Sequence, residues 1–194
     1  MEESKHMKKI GALVIGGSAG SLDVLLKILP EINPNLDFPI IIVVHRKQGT
    51  DSLLSDLLSH RTELKVKEAD EKEKINKGYV YIAPSDYHLL IEKDYTFSLD
   101  YSEKINYSRP SIDVTFQTAA DAYGEQLVCL LLSGSNADGV NGLISVKKNG
   151  GITLAQDPDS AQVTYMPEQA ILRANVTDIL KIEQMANYIN SLNS

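Results

Sequence analysis

Cysteine is almost missing from this chain. Of 194 residues only Cys129 carries a thiol, which leaves no partner for an internal disulfide. It lies in the apolar run Leu127-Val128-Cys129-Leu130-Leu131-Leu132. A small buried thiol in a reducing compartment is the expectation. Positive charge is also scarce: 19 Lys and Arg stand against 26 Asp and Glu, a formal charge of −7. No basic stripe offsets that balance, so a general nucleic-acid binder is disfavoured, while a protein partner is not. Long hydrophobic runs are absent, and none could cross a bilayer. Residues 1–9 are charged and polar, without the apolar core or cleavage site of a secretory signal. These absences fit a cytoplasmic protein with no membrane insertion. No internal repeat, low-complexity tract or interdomain linker interrupts the chain, whose length suits one domain.

What is present is a regular alternation. Residues 10–15 form a continuous apolar run of strand length, as in a sheet covered on both faces. The glycine-rich turn Gly16-Gly17-Ser18-Ala19-Gly20 follows, then Leu22, Leu25, Leu26 and Leu29 at helical spacing, ended by Pro30. Ser18 or Ser21 is the expected cap. A second buried strand spans 38–45 and ends on His45, and a helix opens at Gly49-Thr50-Asp51 with Leu53, Leu54, Leu57 and Leu58 as its apolar positions. Shorter strands are expected at 64–69 and 78–84, with a charged, solvated loop at 70–74 between them. A hairpin is expected from 88–92 to 96–99 across Lys93-Asp94-Tyr95. A helix begins after Arg109-Pro110-Ser111, with Ser111 as N-cap, and the third strongly buried strand is 127–132. The loop Ser133-Gly134-Ser135-Asn136-Ala137-Asp138-Gly139, a helix, a strand at 152–156, a short helix after Met166-Pro167 and a closing amphipathic helix complete the chain. The fold class read from this pattern is α/β: a doubly wound, mainly parallel sheet with flanking helices and an antiparallel hairpin at one edge.

In such sheets ligands bind beyond the carboxyl ends of the strands. Ser18, His45 and Asp138 all sit at that edge. Gly16 to Gly20 has the literal form G-x-S-x-G, in which a sharp strand-to-helix turn exposes a serine. A serine hydroxyl needs a base to become nucleophilic, and a histidine needs a carboxylate to fix its tautomer. Each residue also has a plainer reading. Ser18 can be a turn residue or part of a phosphate-binding turn, His45 can bond a nearby carbonyl, and Asp138 can cap the helix after it. The conjunction at one sheet edge favours a triad. Its order, Ser, His, Asp, differs from the Ser, Asp, His order of α/β-hydrolases.

These motifs resemble the catalytic domain of the chemotaxis protein-glutamate methylesterases, the CheB family. The resemblance runs from about residue 10 to 180. Ile15-Gly16-Gly17-Ser18-Ala19-Gly20, Val43-Val44-His45, Tyr81-Ile82-Ala83-Pro84 with His88, Arg109-Pro110-Ser111-Ile112-Asp113, the 133–139 loop, and Ala155-Gln156-Asp157 with Met166-Pro167 carry it. It implies one catalytic domain over 10–194 behind a polar segment at 1–9, without the family's usual receiver domain. It further implies hydrolysis of glutamate γ-methyl esters on the cytoplasmic helices of chemoreceptors, with Ser18 as nucleophile, His45 as base and Asp138 as its orienter. By position, backbone N–H groups of Ala19 and Ser135 would hold the oxyanion, and no metal or organic cofactor is required. Glutamine deamidation at the same site is a second enzymatic reading, and a signalling or binding module without turnover is the non-enzymatic one. Ala19 and Gly134-Ser135-Asn136 depart from the family's usual Thr and Gly-Met-Gly. Arg46 replaces a common Met or Leu, and either contacts an acidic substrate or is a solvated surface charge. His60 and His88 are expected to be surface or structural.

Overall fold

The computed structural model describes residues 8–46 and 51–194. Its framework is a seven-stranded sheet. In chain order the strands are β1 (Ala12–Gly17), β2 (Ile40–Val44), β3 (Lys65–Glu68), β4 (Tyr79–Ile82), the hairpin strands β5 (His88–Ile91) and β6 (Phe97–Asp100), β7 (Leu127–Leu131), β8 (Ile152–Gln156) and β9 (Asp178–Leu180). The sheet order is β3-β4-β2-β1-β7-β8-β9, and all six pairings are parallel. The helices are α1 (Ser21–Ile28), α2 (Asp51–Ser59), α3 (Ile112–Tyr123), α4 (Val140–Lys148), α5 (Tyr165–Ala174) and α6 (Ile182–Ser191).

The three central strands are apolar on both faces because both are covered. Leu13 and Ile15 of β1, Ile40 and Ile42 of β2 and Leu130 of β7 pack with Leu25 and Ile28 of α1, Leu54 and Leu58 of α2 and Met185 and Ile189 of α6. The alternate residues, Val14, Ile41, Val43, Cys129 and Leu131, pack with Ile112 and Phe116 of α3, Val140 and Leu143 of α4 and Met166 and Ala170 of α5. One sheet thus separates two cores, the period-2 consequence of the strand pleat. Fully burying such a side chain is worth about 1.5–3 kcal/mol, so the two cores dominate the fold's stability.

The chain winds outward from β1 in both directions, and the switch point lies where β1 meets β2 and β7. There the parallel register brings the ends of the three strands together: Gly17 pairs with Val44, and Gly16 with Leu131.

Several expectations are corrected in detail. The hairpin exists across the predicted turn, but forms its own two-stranded sheet packed on α3 and is not bonded to an edge of the main sheet. Leu89, Ile91 and Phe97 give it an apolar face for that packing. Helix α1 buries Val24, Leu25 and Ile28 and leaves Leu22 exposed, so its inner face is rotated from the leucine pattern. Leu53 and Leu57 of α2 are exposed as well. Gly49 and Thr50 lie outside the described residues. The 70–74 loop is partly tied down: Lys67 pairs with Asp70 and Glu73, and Glu71 accepts the Leu99 N–H. Among the described residues no helix is long and apolar enough to cross a membrane.

Candidate active site

The turn after β1 is the first component. Ser18 N–H donates to the Ser133 carbonyl at 2.9 Å, so the β1 turn and the β7 loop are stitched together just beyond the sheet. The His45 N–H donates to the Gly17 carbonyl in the same way, at 3.1 Å. Neither serine caps α1. Gly20 occupies the N-cap with φ of 84°, a left-handed conformation that glycine adopts without cost. Ser21 Oγ instead donates to the Ser18 carbonyl at 2.6 Å and tightens the turn. Ser133 is buried and braces it from the other side: its Oγ donates to the Ala19 carbonyl and accepts the Val163 N–H. Gly134 completes the packing. A Cβ there would lie 2.6 Å from Met166 Cε and 3.0 Å from Ser18 Cβ, so only glycine lets the loop approach the serine this closely.

His45 leaves the end of β2 and meets Asp138, with Nε2 donating to Oδ2 at 2.7 Å. Among the described residues Nδ1 has no hydrogen-bond partner, so it is the nitrogen available to a substrate or to Ser18. Asp138 is fully buried. It does not cap the helix after it. Its Oδ2 also accepts the Ile112 N–H at 2.7 Å, and its Oδ1 accepts the Asp113 N–H, Ser111 Oγ and Asn106 Nδ2 at 2.9–3.0 Å. Asp138 therefore caps α3, the role expected of Ser111, and Ser111 donates to it instead. Asp113 returns the arrangement by accepting the Gly139 and Gly142 N–H groups at the start of α4. Two carboxylates thus cap each other's helices.

Burial alone pushes the Asp138 carboxyl up. The hydrogen bond from His45 and the two α3 N–H groups outweigh it and hold the group below its ordinary value. Asp113 goes the other way: burial dominates and raises it, although the α4 N–H groups oppose the shift.

Two cavities open onto His45. A cleft of about 260 Å³ between α1 and α2 contains both Ser18 and His45 and is walled by Leu22, Leu25, Leu53, Leu54 and Leu57. A larger one of about 630 Å³ reaches His45 but not Ser18, and is lined by Tyr101, Tyr107, Lys104 and Arg109. The smaller cleft is the one that brings the serine of the β1 turn together with His45. No hydrogen bond joins Ser18 Oγ to His45 in this structure, so the expected contact is not closed, although both groups share the cleft. Ligand-free sites commonly show this looseness.

Ala19 and Ser135 flank Ser18 on the two loops. Among the described residues their backbone N–H groups have no acceptor, as an oxyanion site requires. The Gly134 N–H, by contrast, is committed to the Val163 carbonyl. Arg46 is not a solvated charge: its Nη2 donates to the Ala83 carbonyl at 2.7 Å and to Glu68 Oε1 at 3.2 Å, and its side chain is largely buried beside both cavities. His88 is structural, with Nε2 donating to the Glu103 carbonyl and Nδ1 accepting the Ser111 N–H. His60 is exposed. Among the described residues no cluster of His, Cys, Asp and Glu could hold a metal ion.

Sequence reasoning assigned no role to Asn106, Asp113, Ser133 or Gln156. The last is buried and accepts the Ser133 N–H. A polar residue ending an otherwise apolar strand is the one signal that marked Gln156 and Ser133. Nothing marked Asn106.

Comparison with known proteins places this arrangement. The model of the CheB methylesterase family matches residues 13–189. A Leptospira interrogans relative is 45% identical over 175 residues, covering 90% of this chain and 91% of its own. The Thermotoga maritima protein-glutamate methylesterase/protein-glutamine glutaminase is 38% identical over 162 residues, 82% of this chain and 47% of its own. This chain therefore spans about half the length of that relative. The crystal structure of the Thermotoga maritima CheB methylesterase catalytic domain superposes with a TM-score of 0.91 at 34% identity, covering 95% of this chain and all of that one. With both the sequence and the catalytic-domain fold matched over nearly the whole chain, this protein belongs to the CheB methylesterase family.

Proposed function

We propose that this protein is a serine esterase that hydrolyses glutamate γ-methyl esters on the cytoplasmic helices of chemoreceptors. The observation that carries the reading is the buried Asp138 carboxylate bonded to His45 Nε2, with Ser18 in the same cleft. Nε2 is occupied, so the base is Nδ1. Ser18 Oγ attacks the ester carbonyl carbon while its proton passes to Nδ1. Asp138 stabilises the imidazolium so formed and keeps the ring from turning. The Ala19 and Ser135 N–H groups receive the developing oxyanion, each donor being worth about 2.7–4 kcal/mol in such sites. Collapse breaks the carbon–methoxy bond, and the proton on Nδ1 leaves with methanol. Water then attacks the acyl-enzyme, gives its proton to Nδ1 and releases the glutamate carboxylate, and Ser18 recovers its proton from His45. The leucine-walled cleft suits the uncharged methyl ester and the apolar flank of a helix that carries it. Of the two cavities that His45 lines this is the more apolar one, so it repels the charged product and favours its release.

A second substrate is favoured by the names of the relatives, which pair methylesterase with protein-glutamine glutaminase. Glutamine deamidation uses the same acyl-enzyme with ammonia as the leaving group. Methanol release from a methylated receptor fragment, measured beside ammonia release from its glutamine form, tests both. Ser18→Ala should abolish both activities and change stability by less than about 1 kcal/mol, because Ser18 Oγ makes no hydrogen bond among the described residues. Wild-type release by that variant would end the proposal.

A further inference from the structure

We propose that Asn106 is a positioning residue for this site, its side-chain amide holding the Asp138 carboxylate and moderating the pull of that carboxylate on His45. The inference rests on the triad reading above.

The turn that carries Asn106 is unusual. Ile105 N–H donates to the Ser108 carbonyl and Ser108 N–H to the Ile105 carbonyl, at 3.1 and 3.0 Å. The two residues between them, Asn106 and Tyr107, have φ of 52° and 62°. That is a two-residue turn with both central residues left-handed, the type I′ geometry. Asparagine tolerates the first position. Tyrosine in the second is disfavoured, and Tyr107 is 98% exposed, so no packing offsets it. The compensation lies on the inner side of the turn. Asn106 Nδ2 donates to Asp113 Oδ2 at 2.8 Å and to Asp138 Oδ1 at 3.0 Å. Both acceptors are carboxylate oxygens, so only the NH₂ end of the amide fits there.

The consequence is electrostatic. Each donor to Asp138 draws on the charge that also serves His45. The other charged groups near the pair are Asp113 on α3, Arg46 next to His45, and Asp86, Lys104 and Arg109 around the larger cavity. Arg46 is paired with Glu68 and Arg109 with Asp86, and none of the three cations bonds to Asp138. Asn106 is the only side-chain amide on that carboxylate among the described residues. Tyr107 and Ser108 of the same turn line the larger cavity with His45, so the turn links the cavity wall to the carboxylate.

Asn106→Gly isolates the amide, because glycine accepts the left-handed turn and deletes only the side chain. With one donor gone, Asp138 bears more charge towards His45 and strengthens the hydrogen bond between them. The proton resonance of the His45–Asp138 hydrogen bond should then move downfield. A purely structural role would lower the melting temperature and leave the resonance in place, and an unmoved resonance overturns the proposal whatever happens to stability. The resonance is read without substrate. If wild-type protein released no methanol the esterase reading would fall, while the spectrum would still decide the role of Asn106.

Discussion

At residue scale the most consequential side chain is Asp138, which joins three structures at once. It accepts from His45, from the N-terminus of α3 and from the Asn106 turn. Asp138→Asn keeps a carbonyl oxygen for Ser111, Asn106 and the Asp113 N–H. It turns an NH₂ towards the Ile112 N–H and His45 Nε2, which are both donors. The ring is then held in the wrong tautomer, and methanol release should fall by about four orders of magnitude, as in other triads. Two opposed donors in a buried site should also cost roughly 2 kcal/mol in urea denaturation. Near-wild-type turnover by this variant would remove Asp138 from the mechanism.

At the scale of elements, the loops after β1 and β7 behave as one unit. Ser133 bonds backbone in both the Ala19 turn and the segment before α5, while Gly134 packs on Ser18. Gly134→Ala brings a methyl against Met166, whose flexible end can move, and against Ser18 Cβ, which cannot. Stability should fall by about 1 kcal/mol. Turnover should fall at least tenfold, because a small displacement of the nucleophile or an oxyanion donor is costly. Denaturation curves and kcat measured on the same preparation separate the two effects. An equal proportional loss in both would mean that the loop is scaffold and not site.

At the scale of the whole molecule, the cross-capping of α3 and α4 makes the α3 side of the sheet depend on pH. The fold lowers the Asp138 value, so its contribution is fully present above the ordinary carboxylate range and is lost as pH falls through the lowered value. Asp113 has the opposite sign. Its raised value means that ionising it in the folded state costs stability as pH rises from the ordinary range to the raised one. Unfolding free energies of wild type and Asp138→Asn should differ most above the ordinary carboxylate range and approach one another as pH falls below it. A difference that is constant across that range would show that the charge of Asp138 does not contribute.

The β1, β2 and β7 runs were legible as strands because each is a strand-length apolar stretch, and burial on both faces follows from that alone. Their polar ends placed Ser18, His45 and Asp138 at one edge of a parallel sheet, since every strand of such a sheet ends on the same side. The hairpin was legible from its turn residues, but not its separation from the sheet, which depends on packing against α3. The partners of Asp138 were equally hidden. Asn106 and Asp113 lie 32 and 25 residues away from it in sequence, and no local pattern encodes a bond across that distance. Local periodicity and turn chemistry therefore determined the elements and the edge where the chemistry lies. Only the tertiary structure decided which carboxylate caps which helix, which nitrogen of His45 remains open and which cavity holds the serine, because those depend on contacts between segments remote in the chain.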